Sequence, residues 1–271
     1  MRLGAALRSM GPDSDAATLV ACARAAEAAG LDDVWVVDHV AIPPDDAEGS
    51  DGRYLDPLAA LAFLAGATER VGLGTGVLIL PYRPALPTAK WVATVQELSG
   101  ERLRLGVGVG WMKAEFRALG VDVRRRGALA DETLAFLRRC FDSGAAGDVV
   151  ESNGQAFLFR PRPSRPPIFV GGAPPHALAR AVRFGDGWMP MGTDPQKLRA
   201  PIAELRRIAS EAGRPPPEVV AMGRLPLEDR ARTAEQLAEL SQIGVTRLVH
   251  AERHADANGF ARSAEALARL A

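Results

Sequence analysis

Cysteine is scarce in this chain. There are two in 271 residues, Cys22 and Cys140, in no CxxC pair and at no zinc spacing. That excludes a disulfide framework and a cysteine-built metal site, and it suits two packed thiols in a reducing cytoplasm. Charge of one sign is also missing. Lysine plus arginine number 33 and aspartate plus glutamate 33, with no basic stripe, so nucleic acid is not an expected partner. No apolar run approaches the length of a membrane span, and Met1–Pro12 lacks the apolar core of a signal peptide. The GxSxG turn of a serine hydrolase is absent. Gly106-Val107-Gly108 is not a dinucleotide fingerprint, because position 111, where the third glycine belongs, is tryptophan. His250 and His254 are four apart, but HAERH is not HExxH and no acidic set completes a metal site, so no metal is expected.

What is present is alternation. Apolar, β-branched runs of strand length recur before helix-like stretches: Met1–Leu7, Asp33–Val40, Val71–Leu80, Leu103–Val109, Pro167–Gly172, Gly187–Met191, Glu218–Met222 and Val245–His250. Asp13-Ser14, Asp56 and Asp194 read as helix starts, and Gly30, Gly100 and Gly244 as helix ends. Glu-Arg pairs precede two of the strands, at 69–70 and 101–102, and lie 32 residues apart (101 − 69), about one βα unit. Eight such units predict an α/β fold, a single-domain (β/α)8 TIM barrel over residues 1–271. Gly144, Gly147, Gly154 and the prolines at 161, 163, 166 and 167 flank Gln155–Phe159, which reads as a short hairpin excursion before strand five.

In such a barrel, chemistry collects at the C-terminal ends of the strands. Those ends carry Asp38-His39, Gly76, Pro81 to Arg83, Gly108, Gly110, Trp111, Gly171-Gly172-Ala173, Met191 to Thr193 and His250. Glycines where strand four ends either let the strand pack closely or open a floor for a flat ligand with Trp111 as a wall. Gly171-Gly172-Ala173 runs into a helix start, which is either a tight βα turn or a seat for an anion. His39 is a candidate general acid or base, although adjacent strand residues point apart, so Asp38 need not touch it. The Pro-, Asp- and Gly-rich stretch Ala41–Arg53 is long enough for a substrate loop. With no nucleophile or metal set, borrowed cofactor chemistry suits the inventory.

Several stretches resemble the bacterial-luciferase-like, flavin-utilising monooxygenase superfamily: DHV at 38–40, GLGTGVLILPYRPAL at 72–86, ERLRLGVGVGWMKAEFRALGV at 101–121, and PPIFVGGAP with GDGWMPMG between 166 and 192. The likeness runs in order along nearly the whole chain and is closest to the branch that uses the deazaflavin coenzyme F420. It implies a ring at the C-terminal rim, propped by a bulge with a non-prolyl cis peptide at Gly76-Val77. It implies phosphate or tail contacts at Gly108, Gly110 and Trp111 and at Gly171, Gly172 and Ala173. Asp38 matches a position near the ring's polar edge, and His39 one that moves a proton. One departure is Trp111-Met112, where some F420 members carry an acidic residue; this argues against the sugar-phosphate dehydrogenase subgroup and its proton relay.

The expected activity is that of an F420-dependent oxidoreductase passing a hydride between the deazaflavin and a small organic substrate, with Trp111, Tyr54 and Trp188 as candidate pocket walls. The alternative is an FMN-dependent luciferase-like monooxygenase using the same residues. A non-catalytic flavin-binding barrel would be favoured by loss of the rim residues, which are present. Dimers are common in that family, so a homodimer is implied by the same analogy.

Overall fold

The structure, a computed structural model, describes residues 1–142 and 148–270. Gly144 and Gly147 of the expected excursion, and Ala271, lie outside the described residues. Eight strands close into one parallel barrel: β1 (Arg2–Ala6), β2 (Asp33–Val36), β3 (Gly72–Ile79), β4 (Leu103–Gly108), β7 (Ile168–Gly171), β8 (Gly187–Met189), β9 (Glu218–Gly223) and β10 (Arg247–His250). Between β4 and β7, β5 (Val149–Ser152) and β6 (Gln155–Leu158) form a separate antiparallel hairpin turning at Asn153-Gly154. That is the expected excursion, placed before the fifth barrel strand.

Helix starts follow the aspartates. Asp15 caps α1 (Ala16–Ala29), Asp56 caps α2 (Pro57–Ala65), Asp194 caps α7 (Pro195–Glu211), Asp229 caps α8 (Arg230–Ile243) and Asp256 caps α9 (Ala257–Ala268), each accepting a first-turn N–H. Gly30 and Gly244 end α1 and α8 in the left-handed conformation. The remaining outer helices are α3 (Ala85–Leu98), α5 (Arg126–Asp142) and α6 (His176–Phe184). A short α4 (Lys113–Ala118) follows β4 before the chain reaches α5.

The barrel interior is filled by Trp35, Phe169, Met189, Val220, Met222 and Val249. Trp35 lies flat over Gly74, where a Cβ would sit 2.3 Å from the indole. The N-terminal end of the barrel carries exposed Asp32, Arg70 and Glu101 at its edge and a buried charge pair inside it. Asp33 and Arg247, each 1% exposed, form an ion pair there, with Arg104 Nε 3.6 Å from Asp33. Burial, and then Arg2, pull the Arg247 guanidinium down to about 10.

Candidate functional site

Strand β2 ends at Val36, three residues earlier than a strand carrying Asp38-His39 requires. Both residues therefore lie in coil beyond the strand, free of the alternation that would hold them apart. Asp38 is buried and fully engaged. Its carboxylate takes a two-pronged contact from Arg83, at 2.7 and 2.9 Å, and the backbone N–H of Ile79 at 2.8 Å. Arg83 also reaches Asp56 at 2.8 Å. Burial alone would lower the Arg83 pKa, but Asp38 and Asp56 outweigh it and raise it. Asp38 thus ties the loop after β2 to the end of β3 and acts on the rim by holding Ile79 in place.

The end of β3 carries a register shift between Thr75 and Leu78, and the Gly76-Val77 peptide is cis, where the resemblance located it. The glycines around it mostly answer to packing. A Cβ at Gly108 would meet Val77 at 2.5 Å, one at Gly171 would meet Val77 at 2.9 Å, and one at Gly76 would meet Met222 at 2.5 Å. Gly108 and Gly171 therefore make room for the Val77 side chain from two neighbouring strands. The half-buried Gly76-Val77 backbone stays at the rim. Gly110 has φ +78°, and a Cβ there would be 2.8 Å from Ile79. Gly172, at φ +121°, has only Ala177 near it, and residues 172–176 are exposed, leading into α6, whose start has no side-chain cap.

His39 is held by a residue that the sequence reading missed. Glu115, on α4, is 0% exposed and accepts from four donors. Its Oε1 takes the N–H groups of Val40 at 2.6 Å and Ala41 at 3.0 Å. Its Oε2 takes the Tyr82 hydroxyl at 2.8 Å and lies 2.8 Å from His39 Nδ1. Burial would push the Glu115 carboxyl up; the Ala41 and Val40 N–H groups, Tyr82 and His39 outweigh it and hold it below the ordinary carboxylate range. Burial first, and then the bond to Glu115, push Tyr82 up beyond any titration near neutral pH, so the phenol stays a donor. An ionised Glu115 keeps the imidazole proton on Nδ1 and leaves Nε2 as the free lone pair. Among the described residues, Nε2 has no partner.

No acid stands at Trp111-Met112 itself, as read from the sequence, yet a carboxylate does serve His39. The acidic residue arrives four positions after Trp111, on a helical turn, and reaches His39 directly. The signal was present as WMKAE, but only the fold shows that α4 bends back over the loop after β2.

Aromatic rings flank His39: Tyr54 with its centroid at 4.8 Å and Trp111 at 6.1 Å. Trp111 is 71% exposed. Trp188, considered as a wall, is instead buried, its Nε1–H donating to the Gly172 carbonyl at 2.9 Å. His250 does end β10, as expected, but its side chain is likewise closed off. It is buried, its Nδ1 accepts from the Leu225 N–H, and its Nε2 lies 3.3 Å from Glu252.

The rim over β3, β4 and β7 thus presents a half-buried backbone bulge, an exposed indole and an open glycine turn at a helix start. Those features suit a flat ring with an anionic tail. Among the described residues, no helix is long and apolar enough to cross a membrane.

The family model for luciferase-like monooxygenase matches residues 1–270. An uncharacterized protein of Mycobacterium tuberculosis strain H37Rv is 34% identical over 213 residues, covering 72% of each chain. The 5,10-methylenetetrahydromethanopterin reductase of Methanolobus tindarius is 30% identical over 201 residues, covering 73% of this chain and 57% of that one. Among solved structures, a monooxygenase from Streptomyces bottropensis superposes with a TM-score of 0.82 at 20% identity, covering 100% of this chain and 98% of that one. An F420-dependent secondary alcohol dehydrogenase, solved with an F420-acetone adduct, superposes with a TM-score of 0.79 at 16% identity over the same shares. At those identities the structural likeness speaks to the fold. Taken with the barrel, the bulge at Gly76-Val77 and the family match along the chain, these findings establish that the protein belongs to the luciferase-like monooxygenase family.

Proposed function

We propose that the protein is an F420-dependent oxidoreductase acting on a small organic substrate. The observation that carries this reading is the His39–Glu115 pair at the rim. A protonated Nδ1 held by a buried carboxylate leaves Nε2 as a base for the proton of a substrate hydroxyl; once protonated, Nε2 is an acid for a carbonyl oxygen. Proton movement at that atom is what the oxidation of an alcohol, or the reverse reduction, asks of a protein. Tyr82 and the Val40 and Ala41 N–H groups fix the carboxylate, so the imidazole cannot swing out of line. Tyr54 and Trp111 border the ring and limit its exposure to water.

Coenzyme F420 supplies two-electron hydride chemistry when bound. The residues that would hold it are Gly76, Val77, Gly110 and Trp111 at the bulge and Gly172 and Ala173 before α6; Gly108 and Gly171, expected as contacts, are buried against Val77 and would act only by seating the bulge. Asp38 contributes through Ile79 and Arg83. The sequence relationship to a methylenetetrahydromethanopterin reductase and the shared fold of an F420-dependent alcohol dehydrogenase support this choice. FMN with a monooxygenase reaction is the alternative on the same residues, and a monooxygenase is among the proteins of this fold.

The test is a titration of the purified apo-protein with F420 and with FMN, each oxidised and reduced. Micromolar or tighter F420 binding, at least ten-fold tighter than FMN, is expected. The reverse preference would replace the proposal with the monooxygenase. Binding of neither would remove the assignments at Gly76, Val77 and Gly172.

A further inference from the structure

The rim divides into two arcs. One is the β3–β4–β7 side just described. On the other, the C-terminal ends of β1, β2 and β10 enclose a cavity of about 240 Å³. Its walls are mostly aliphatic: Ala6, Leu7, Met10, Val37 and Ala251. Met10 pairs through its backbone with Tyr54, the residue whose ring stands against His39. Met10 thus links the cavity wall to Tyr54, one residue removed from the candidate proton-transfer residue.

Three charged residues also line this cavity, and two are already paired. Arg8 is bound to Asp13 at 2.6 Å and to the His254 and Ala255 carbonyls at 2.6 and 3.2 Å. Glu252 is bound to Arg224 at 2.9 Å and lies 3.3 Å from His250. Arg253 has neither ion pair nor hydrogen bond among the described residues. Its guanidinium stands over Gly49, where a Cβ would come within 2.9 Å of Nη1. Asp45, Asp46, Glu48 and Asp51, in the same loop as Gly49, are exposed and none pairs with it. An aliphatic wall beside an uncommitted guanidinium favours a ligand that brings both an apolar body and a carboxylate, because the planar donor fork matches the two oxygens.

We infer that this cavity takes a small aliphatic carboxylate, its acid group on Arg253 and its chain against Ala6, Val37 and Ala251. The space, about 240 Å³ and open on one side, admits a short alkyl chain, for which hexanoate is a fitting probe. Calling this ligand the substrate rests on the oxidoreductase reading; the binding chemistry does not.

The test is calorimetric titration of coenzyme-free protein with hexanoate, hexan-1-ol and hexylamine. Hexanoate is expected to bind at least ten-fold more tightly than the alcohol, with the amine weakest. Arg253→Gln removes the advantage of the acid over the alcohol, and Ala251→Phe, which fills the cavity, weakens all three. Equal binding of acid and alcohol to the wild type, an acid preference that survives Arg253→Gln, or no binding at all would overturn the inference. Titration of F420 into the same wild-type preparation separates the two readings. Acid selectivity without F420 binding removes the coenzyme proposal alone, and F420 binding without acid selectivity removes this one alone.

Discussion

Replacing Glu115 by glutamine keeps the shape of the side chain and removes its charge. Four donors converge on the carboxylate. Hydrogen bonds to a charged acceptor contribute about 1.5–3 kcal/mol and neutral ones about 0.5–1.5, so each donor loses about 1 kcal/mol. The gross loss of about 4 kcal/mol is offset in part because a buried carboxylate no longer has to be desolvated. A net destabilisation of about 2 kcal/mol is expected, a fall in Tm of roughly 4–8 °C for a domain of this size. The sharper consequence is at His39. The amide oxygen can keep the Val40 and Ala41 N–H groups, which turns the NH2 toward Nδ1. Nδ1 must then accept, and the imidazole proton moves to Nε2. A long-range nitrogen–proton NMR spectrum of the histidines at neutral pH reads this tautomer directly, without substrate or coenzyme. An Nδ1–H form in the wild type and an Nε2–H form in Glu115→Gln are expected, with turnover reduced about a hundred-fold, within the range of general acid–base catalysis. An unchanged tautomer together with an unchanged Tm would refute the reasoning.

Three further outcomes are expected. The Glu115 carboxyl lies below its ordinary range in the folded state, so the stability it contributes is present above the unfolded glutamate value of about 4.3 and is lost as pH falls through the lower folded value; in urea melts from pH 7 to pH 3, the gap between wild type and Glu115→Gln should narrow below about pH 4, and Tyr82→Phe, lacking one donor and so with a smaller downward shift at Glu115, should lose less stability across that window than wild type. Gly108→Ala forces a Cβ against Val77, which should cost about 1–3 kcal/mol in denaturant melts and weaken coenzyme binding by displacing the bulge. At the barrel floor, Asp33→Asn leaves Arg247 buried without its counter-charge and should cost about 3–5 kcal/mol, most of it recovered by adding Arg247→Met; no recovery in the double variant would mean that the pair is not a self-contained unit.

Local chemistry made much of this fold legible. Aspartates at helix starts, glycines at helix ends and short β-branched runs act over a few residues, and eight repeats of that pattern leave a closed parallel barrel as the solution. The bulge at Gly76-Val77 was reached through a resemblance, which carries family geometry that no spacing rule contains. The reading of the glycines was less complete, because a missing side chain looks the same in sequence whether a ligand or another residue fills the space. At positions 108 and 171 that residue is Val77.

By itself the sequence determined the order of strands and helices, the hairpin before the fifth barrel strand, and the placing of Asp38, His39 and the glycine turns at the strand ends, since all of these follow from neighbours along the chain. Only the tertiary structure decided who partners whom. Glu115 and His39 are 76 positions apart, Asp38 and Arg83 are 45 apart, and Arg253 meets Gly49 from the other end of the chain. Such pairs leave no periodic trace. They arise because closing the barrel brings the loops after β2, β3, β4 and β10 to one face, and burial there forces charges such as Glu115 and Asp38 to find counterparts, while the exposed Arg253 stands open to a ligand.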